Sequence, residues 1–396
     1  MQSEFSRTEP SPDSDREERC RTGPELGPVI LFFSGGSALK KVSEELIRHT
    51  HNSIHLVAST DSGGSSAKLR EAFAMPAVGD IRNRLMALAD RNSADNPDVF
   101  RLLAYRFPQA TQKALLKSEL QDMAEGKHDR VRVIPGPDRR TLGRYFADFL
   151  SLIPEEFDLC GASIGNLVLA SGYLCNDRQL DPVISVFSKL VLVRGTVRPV
   201  TQENLHLVAE LEDGRRIVGQ HRLTGKEEPP IRSPVRRVYL TRTPESPDPR
   251  EVEIREEIRR LIAEAGLICY PMGSFYSSLI ANLLPQGVGA AICNNPCPKV
   301  FIPSTGSDPE LFGTGLQRQV ETLMAYLRKD DPAGIRPDAV LNFILLDERN
   351  ESYSGGLDTR FLDRTGVEVI RRPLVSPRSA PLLDEKHLVP ILLSLA

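Results

Sequence analysis

The sequence predicts an α/β protein: a Rossmann-like three-layer α/β/α sandwich with a mostly parallel central sheet and a helical insertion. Three observations predict it. Val29-Ile-Leu-Phe-Phe33 is a short unbroken apolar run, the pattern of a central strand buried on both faces. Ser34-Gly-Gly-Ser37 follows, and Leu39, Val42, Leu46 and Ile47 then recur at helical spacing. A second run, Ile54 to Ala58, ends in another glycine turn, Ser59-Thr-Asp-Ser-Gly-Gly-Ser-Ser66, completing the opening of a βαβ unit.

The remaining elements follow in order. A helix starts near Gly79-Asp80 and runs through Ala89, with further helical segments at Phe100 to Tyr105 and Lys113 to Ala124. Roughly residues 92–140 read as a helical excursion from the sheet. Leu190 to Val193, Leu205 to Leu211 and Arg216 to Gln220 read as strands, with Asp213-Gly214 turning a hairpin between the last two. Thr241 to Arg250, rich in proline, is a loop. Ile254, Ile258, Leu261 and Ile262 share one helix face, and Gly266 stands where a C-cap belongs. Leu267 to Tyr270 is a strand, Pro271-Met-Gly-Ser274 a turn, and a helix begins at Phe275. Later strands are expected at Lys299 to Ile302, Ala339 to Leu345 and Val367 to Ile370. The alternation predicts one domain over residues 27–396.

Composition narrows the function classes. A chain of 396 residues, 40% hydrophobic and 26% charged, can bury a sizeable core. Its net charge of −3 lacks the basic excess of a nucleic-acid partner. No apolar run approaches the roughly 18 residues of a membrane span. Residues 1–26, rich in Glu, Arg, Ser, Asp and Pro, read as an unstructured tail without the apolar segment of a signal peptide. The cytoplasm is the expected address. The six cysteines are scattered, as reduced thiols would be; Cys293 and Cys297 are close, yet no neighbouring Cys or His pair completes a zinc set.

Three turns share one design, a strand leading into Gly/Ser and then a helix: Gly35-Gly36-Ser37, Gly63-Gly64-Ser65 and Gly273-Ser274. Glycine lets a backbone approach an anion, and a helix N-terminus offers free N–H groups. In an open α/β sheet such turns gather at the carboxyl ends of the strands. The dinucleotide pattern G-x-G-x-x-G and the P-loop pattern are both absent. Asp61 beside the second turn and Asp80 at a helix start could share a Mg²⁺ with phosphate oxygens; Asp80 could equally be an N-cap. Arg70, Arg82 and Asn83 could complete an anion site by charge and hydrogen bonding.

Phe33-Ser-Gly-Gly-Ser-Ala-Leu39, Ser59-Thr-Asp-Ser-Gly-Gly-Ser-Ser-Ala-Lys-Leu-Arg70 and Gly79-Asp-Ile-Arg-Asn83 resemble the opening motifs of the CofD/YvcK family. Gly161-Ala-Ser-Ile-Gly-Asn-Leu167 and Gly273-Ser-Phe-Tyr-Ser-Ser-Leu-Ile-Ala-Asn-Leu283 resemble its later ones. The resemblance implies a Rossmann-like fold, usually dimeric, and a nucleotide-diphosphate-linked small molecule of GDP or UDP type. It implies that Gly35, Gly36 and Ser37 line the phosphates and that Asp61 and Asp80 hold Mg²⁺. Asn166 then sits near the nucleoside, with Gly273, Ser274 and Ser277 closing the second half of the pocket. Ala38, Ser62, Ala67, Met272 and the stretch after Ile302 depart from the family spelling and mark a divergent subgroup.

Two functions follow from the resemblance. One is a phosphotransferase of the 2-phospho-L-lactate transferase type, in which an acceptor hydroxyl attacks the distal phosphorus and a nucleoside monophosphate leaves. Its observation is the retained aspartate pair. The other is a UDP-sugar-binding regulator of carbon metabolism or cell-wall synthesis that performs no chemistry, favoured by motif spelling nearer the YvcK branch.

Overall fold

The computed structural model describes residues 14–91, 97–225, 228–349 and 353–396. Its centre is a seven-stranded sheet built from β1 (Ile30–Ser34), β2 (Ile54–Val57), β3 (Thr196–Pro199), β7 (Leu267–Tyr270), β8 (Lys299–Phe301), β9 (Phe343–Asp347) and β10 (Glu368–Arg372). The spatial order is β10-β9-β8-β7-β1-β2-β3, and every neighbouring pair is parallel. A separate antiparallel sheet of β4 (His206–Leu211), β5 (Arg216–Val218) and β6 (Val235–Thr241) has the order β5-β4-β6. The α/β class and the parallel sheet are therefore as the sequence predicts.

Helices cover both faces because consecutive residues of the central strands are buried and point alternately to either side. Ile30 and Phe32 of β1 pack with Leu39, Val42 and Leu46 on one side, where the C-terminal helix Glu385–Leu395 adds Leu388 and Leu392. Leu31 and Phe33 point the other way, into a cluster with Ile258, Ile262, Val288 and Leu323. β1 is buried at all five positions, which is why it reads as an unbroken apolar run.

The chain leaves the sheet after β2 and returns at β3, and among the described residues the named elements between Gly64 and Leu190 are all helices. This excursion is longer than the 92–140 expected from sequence, and residues 92–96 lie outside the described residues. It has its own apolar cluster, including Leu102, Leu120, Phe146, Leu167 and Phe187. The expected strand at Leu190 to Val193 is not formed. Val183, Ile184, Phe187 and Leu190 lie on the buried face of helix Asp181–Leu190, and the strand starts after Gly195. Four-residue apolar runs do not distinguish a helix end from a strand; here packing decides.

Smaller differences have similar causes. β6 was not expected; its two consecutive arginines, Arg236 and Arg237, break the alternation and face solvent on an edge strand. Gly266 is not the helix cap, which is Glu264; Gly266 sits against the carbonyl of Val29 at the start of β7. β5 stops at Val218, since Gly219 turns the chain at φ 98° into a short helix, Gln220–Leu223. Pro337–Val340 is helical, and β9 begins only at Phe343.

Part of the stretch expected to be an unstructured tail is ordered. Ser14–Thr22 is a helix and Pro24–Leu26 a 3-10 turn, because Cys20 finds a buried place in the cluster containing the C-terminal helix. Residues 1–13 lie outside the described residues. Among the described residues no helix is long and apolar enough to cross a membrane.

Candidate functional site

Strand order places the site. β1 lies between β2 and β7, and the chain builds outward from β1 to β3 on one side before crossing to β7–β10 on the other. The crevice at such a reversal, outside the carboxyl ends of the strands, is where open α/β sheets bind ligands. Gly35-Gly36-Ser37 follows β1, Asp61-Ser62-Gly63-Gly64 follows β2, and Pro271-Met272-Gly273-Ser274 follows β7. A cavity of about 330 Å³ opens between them, within the ordinary range of small-molecule sites.

The cavity gathers the residues singled out from sequence, with two exceptions, Ser277 and Arg70. Gly35, Gly36, Ser37, Asp61, Gly63, Gly64, Ser65, Asp80, Arg82, Asn83, Asn166, Gly273 and Ser274 all line it. Ser277 does not. Its hydroxyl donates to the buried Glu310 carboxylate, and Ser278 takes the place at the cavity wall. Arg70 is also outside the lining: it is buried behind the second turn, donating to the carbonyls of Thr60 and Asp61 at 3.2 and 3.1 Å.

The turns are tightly seated. A Cβ placed on Gly35 would lie 2.2 Å from both Cβ and Oγ of Ser278, so only glycine fits there. A Cβ on Gly79 would lie 2.8 Å from Asp61 Oδ2, and one on Gly36 would lie 3.0 Å from Asp80 Oδ1. Each aspartate thus presses against a glycine of another segment. Asp80 is not an N-cap. That position belongs to Val78, and Asp80 is the second residue of helix Gly79–Ala87. Asp61 Oδ1 accepts from the N–H of Gly63 at 3.1 Å.

Behind the first turn, Arg84 is fully buried and donates to the carbonyls of Gly35 and Gly36 at 2.9 and 3.2 Å. Burial lowers its pKa to about 10, opposed by the charge of Asp80. Arg82, two residues earlier, lines the cavity instead. Partial burial and then the neighbouring Arg106 charge lower the Arg82 pKa to about 10 as well, so both guanidiniums stay charged at neutral pH. Arg106 donates to the carbonyl of Gly161 at 2.6 Å. Among the described residues neither Arg82 nor Arg106 has a carboxylate within ion-pair distance, and Arg82 Nε has no hydrogen-bond partner. Asn166, in the first turn of helix Ile164–Cys175, is buried with its Oδ1 equally without a partner.

Sequence reasoning missed several lining residues. Gln220, His221 and Thr224 come from the short helix after β5 and its C-cap, and the Ser62 hydroxyl and His221 Nδ1 share a hydrogen bond at 2.8 Å. Arg106 comes from the helical excursion. No local signal marks these four, because the chain brings them in from elements far away in sequence. Arg84 did carry a signal: it stands four residues after Asp80, one helical turn along the same face.

The family model described as 2-phospho-L-lactate transferase CofD matches residues 30–375. The chain belongs to the CofD family. Among its relatives, the gluconeogenesis factor of Bacillus subtilis is 27% identical over 374 residues, covering 92% of this chain and 97% of the relative. The gluconeogenesis factor of Listeria monocytogenes is 29% identical over 280 residues, 70% of this chain and 67% of that one. The crystal structure of a UPF0052 family member from Bacillus halodurans superposes with a TM-score of 0.65 at 22% identity, covering 92% of this chain and 99% of the other. It shares the fold.

Proposed function

We propose that this CofD family protein binds a nucleoside-diphosphate-linked small molecule, with the diphosphate over the Gly35 and Gly63 turns. The observation that carries the reading is the pair Arg82 and Arg106. Two guanidiniums line one cavity with no carboxylate paired to them among the described residues. A ligand anion supplies the missing counter-charge, and the Arg82 Nε without a partner supplies a donor.

The aspartates fit Mg²⁺. Asp61 and Asp80 come from different segments, line the same cavity and touch neighbouring turns. Two carboxylates completed by phosphate oxygens and water is the donor set this ion takes. When bound there, Mg²⁺ would neutralise charge on the diphosphate; Arg82 and Arg106 would orient it, and Asn166 would hydrogen-bond the nucleoside end.

We read the protein first as a ligand-sensing regulator of the gluconeogenesis-factor kind, because the relatives quoted above carry that name. The transferase reading is favoured by the family description and by the aspartate pair. In it an acceptor oxygen forms a bond to the distal phosphorus, the bond to the bridging oxygen breaks, and the nucleoside monophosphate leaves.

A thermal-shift scan of GDP, UDP, UDP-sugars and NAD with Mg²⁺ tests binding, since a ligand of the native state must raise the melting temperature. A shift with NAD alone would refute a ligand of GDP or UDP type. Chromatography of the same mixtures after long incubation separates the two functions. Intact conjugates support the regulator, and release of a nucleoside monophosphate with a hydroxyl acceptor present supports the transferase.

A further inference from the structure

We infer that Arg84 is a positioning residue that turns the amides of the first glycine turn into the cavity, so that backbone N–H groups receive the phosphate. The inference rests on the diphosphate reading above and names what creates the anion site.

In a trans peptide the C=O and the following N–H point in opposite directions. Arg84 Nη2 draws the carbonyls of Gly35 and Gly36 backward, so the N–H groups of Gly36 and Ser37 face away from Arg84. Away from Arg84 is the cavity, which Gly36 and Ser37 line and Arg84 does not. The other branch of the guanidinium anchors it. Nη1 donates to Ser43 Oγ at 2.6 Å and to the Leu39 carbonyl at 3.3 Å, both in or beside helix Lys40–Leu46. One planar fork therefore ties a turn to the helix that follows it, a geometry that neither Lys nor Gln reproduces.

Arg70 repeats the device on the second turn. It draws the carbonyls of Thr60 and Asp61 backward and is itself anchored on the Leu205 carbonyl at 2.6 Å and on Asn204 Oδ1 at 3.0 Å. Two buried arginines thus hold two turns with their carbonyls withdrawn. Donors fixed before the ligand arrives need no reorganisation when it binds.

The test uses inorganic pyrophosphate with Mg²⁺, a probe independent of the base, beside uridine and guanosine. Calorimetry on the full chain compares wild type with Arg84→Gln. Arg84→Gln should bind pyrophosphate at least ~10-fold more weakly, the worth of one charge-assisted hydrogen bond, while whichever nucleoside the wild type binds keeps its affinity. A merely structural role would weaken both probes together, and that result overturns the inference; so does a folded variant with wild-type pyrophosphate affinity. Should Arg84→Gln fail to fold, Ser43→Ala decides. It loosens the anchor without touching the cavity and should cost pyrophosphate roughly threefold, whereas unchanged affinity overturns the inference. A wild-type protein that ignores pyrophosphate overturns the diphosphate reading, and the inference with it.

Discussion

The hydroxyl of Ser277 donates to the carboxylate of Glu310, and the backbone N–H of Ser277 donates to the same group at 2.9 Å. Tyr276 N–H reaches Glu310 at 2.8 Å, and Phe275 N–H reaches Asp308 at 2.8 Å. The helix that starts at Phe275, a π-helical turn in its first six residues, therefore has its free N–H groups filled by the chain's own carboxylates. Gly273-Ser274 looks like the other two glycine turns in sequence, yet its helix N-terminus has no donors left for a ligand phosphate. At the second turn the Gly63 N–H is likewise taken, there by the neighbouring Asp61 Oδ1 at 3.1 Å.

Ser277→Ala should leave UDP and GDP affinity unchanged, because the side chain does not line the cavity. It should cost about 1–3 kcal/mol of stability, since buried Glu310 loses a donor. Denaturant melts and calorimetry on one preparation check both halves. A loss of affinity without a loss of stability would return Ser277 to the ligand site.

Glu310 should make stability depend on pH. Burial, and then the Asp308 charge, raises its pKa from 4.5 to about 7 despite the donors around it. Between those values the folded chain holds a proton that the unfolded chain has released. This contribution is therefore full at low pH and is lost as pH rises through about 7. It amounts to at most roughly 3 kcal/mol. Melting temperatures of wild type and Glu310→Gln between pH 5 and 8 should converge in slope except for this extra fall in wild type; parallel curves would remove the claim.

Asp61→Asn and Asp80→Asn should each weaken Mg²⁺-dependent binding of UDP or GDP by roughly 10-fold or more, as expected when a charged ligand to the metal is lost. The melting temperature of the ligand-free protein should fall only modestly: Asn keeps the shape and the acceptor for the Gly63 N–H, and what is lost at position 80 is the charge beside buried Arg84. Calorimetry with and without Mg²⁺ gives the answer. Wild-type, Mg²⁺-dependent affinity in both variants would end the metal-site proposal.

Gly35→Ala should be costly for a reason visible only in three dimensions. The added methyl meets Ser278 at 2.2 Å, and overpacking of this kind costs about 1–3 kcal/mol. Ser278→Gly opens space at that point, so the double variant should recover part of the stability lost by Gly35→Ala alone. Strict additivity of the two changes, measured by chemical denaturation, would show that the contact is not what excludes a side chain.

Local sequence was enough for the strands buried on both faces and for the turns that follow them. β1, β2 and β7 read as apolar runs because each side chain is buried, and their turns read as glycine because backbones meet there. Asp61, Asp80, Arg82 and Asn166 were legible for the same reason: each stands in or beside a turn or helix start whose geometry is set within a few residues. Leu190 to Val193 was misread because its apolar residues suit a helix end as well as a strand, and only packing in the helical cluster selects the helix.

What the tertiary structure alone decided is which partners the polar groups of each turn take. Glu310 and Asp308 reach the third turn from more than thirty residues along the chain, as their separations from Ser277 and Phe275 show. Arg106 and His221 enter the cavity from the helical excursion and from the connection between β5 and β6 of the second sheet. A hydrogen bond depends on distance and direction in space, and neither is encoded in local spacing once the partners lie on different elements. The sequence therefore determined three alike turns at one end of the sheet. Long-range folding closed one with carboxylates and drew the carbonyls of the other two back onto buried arginines.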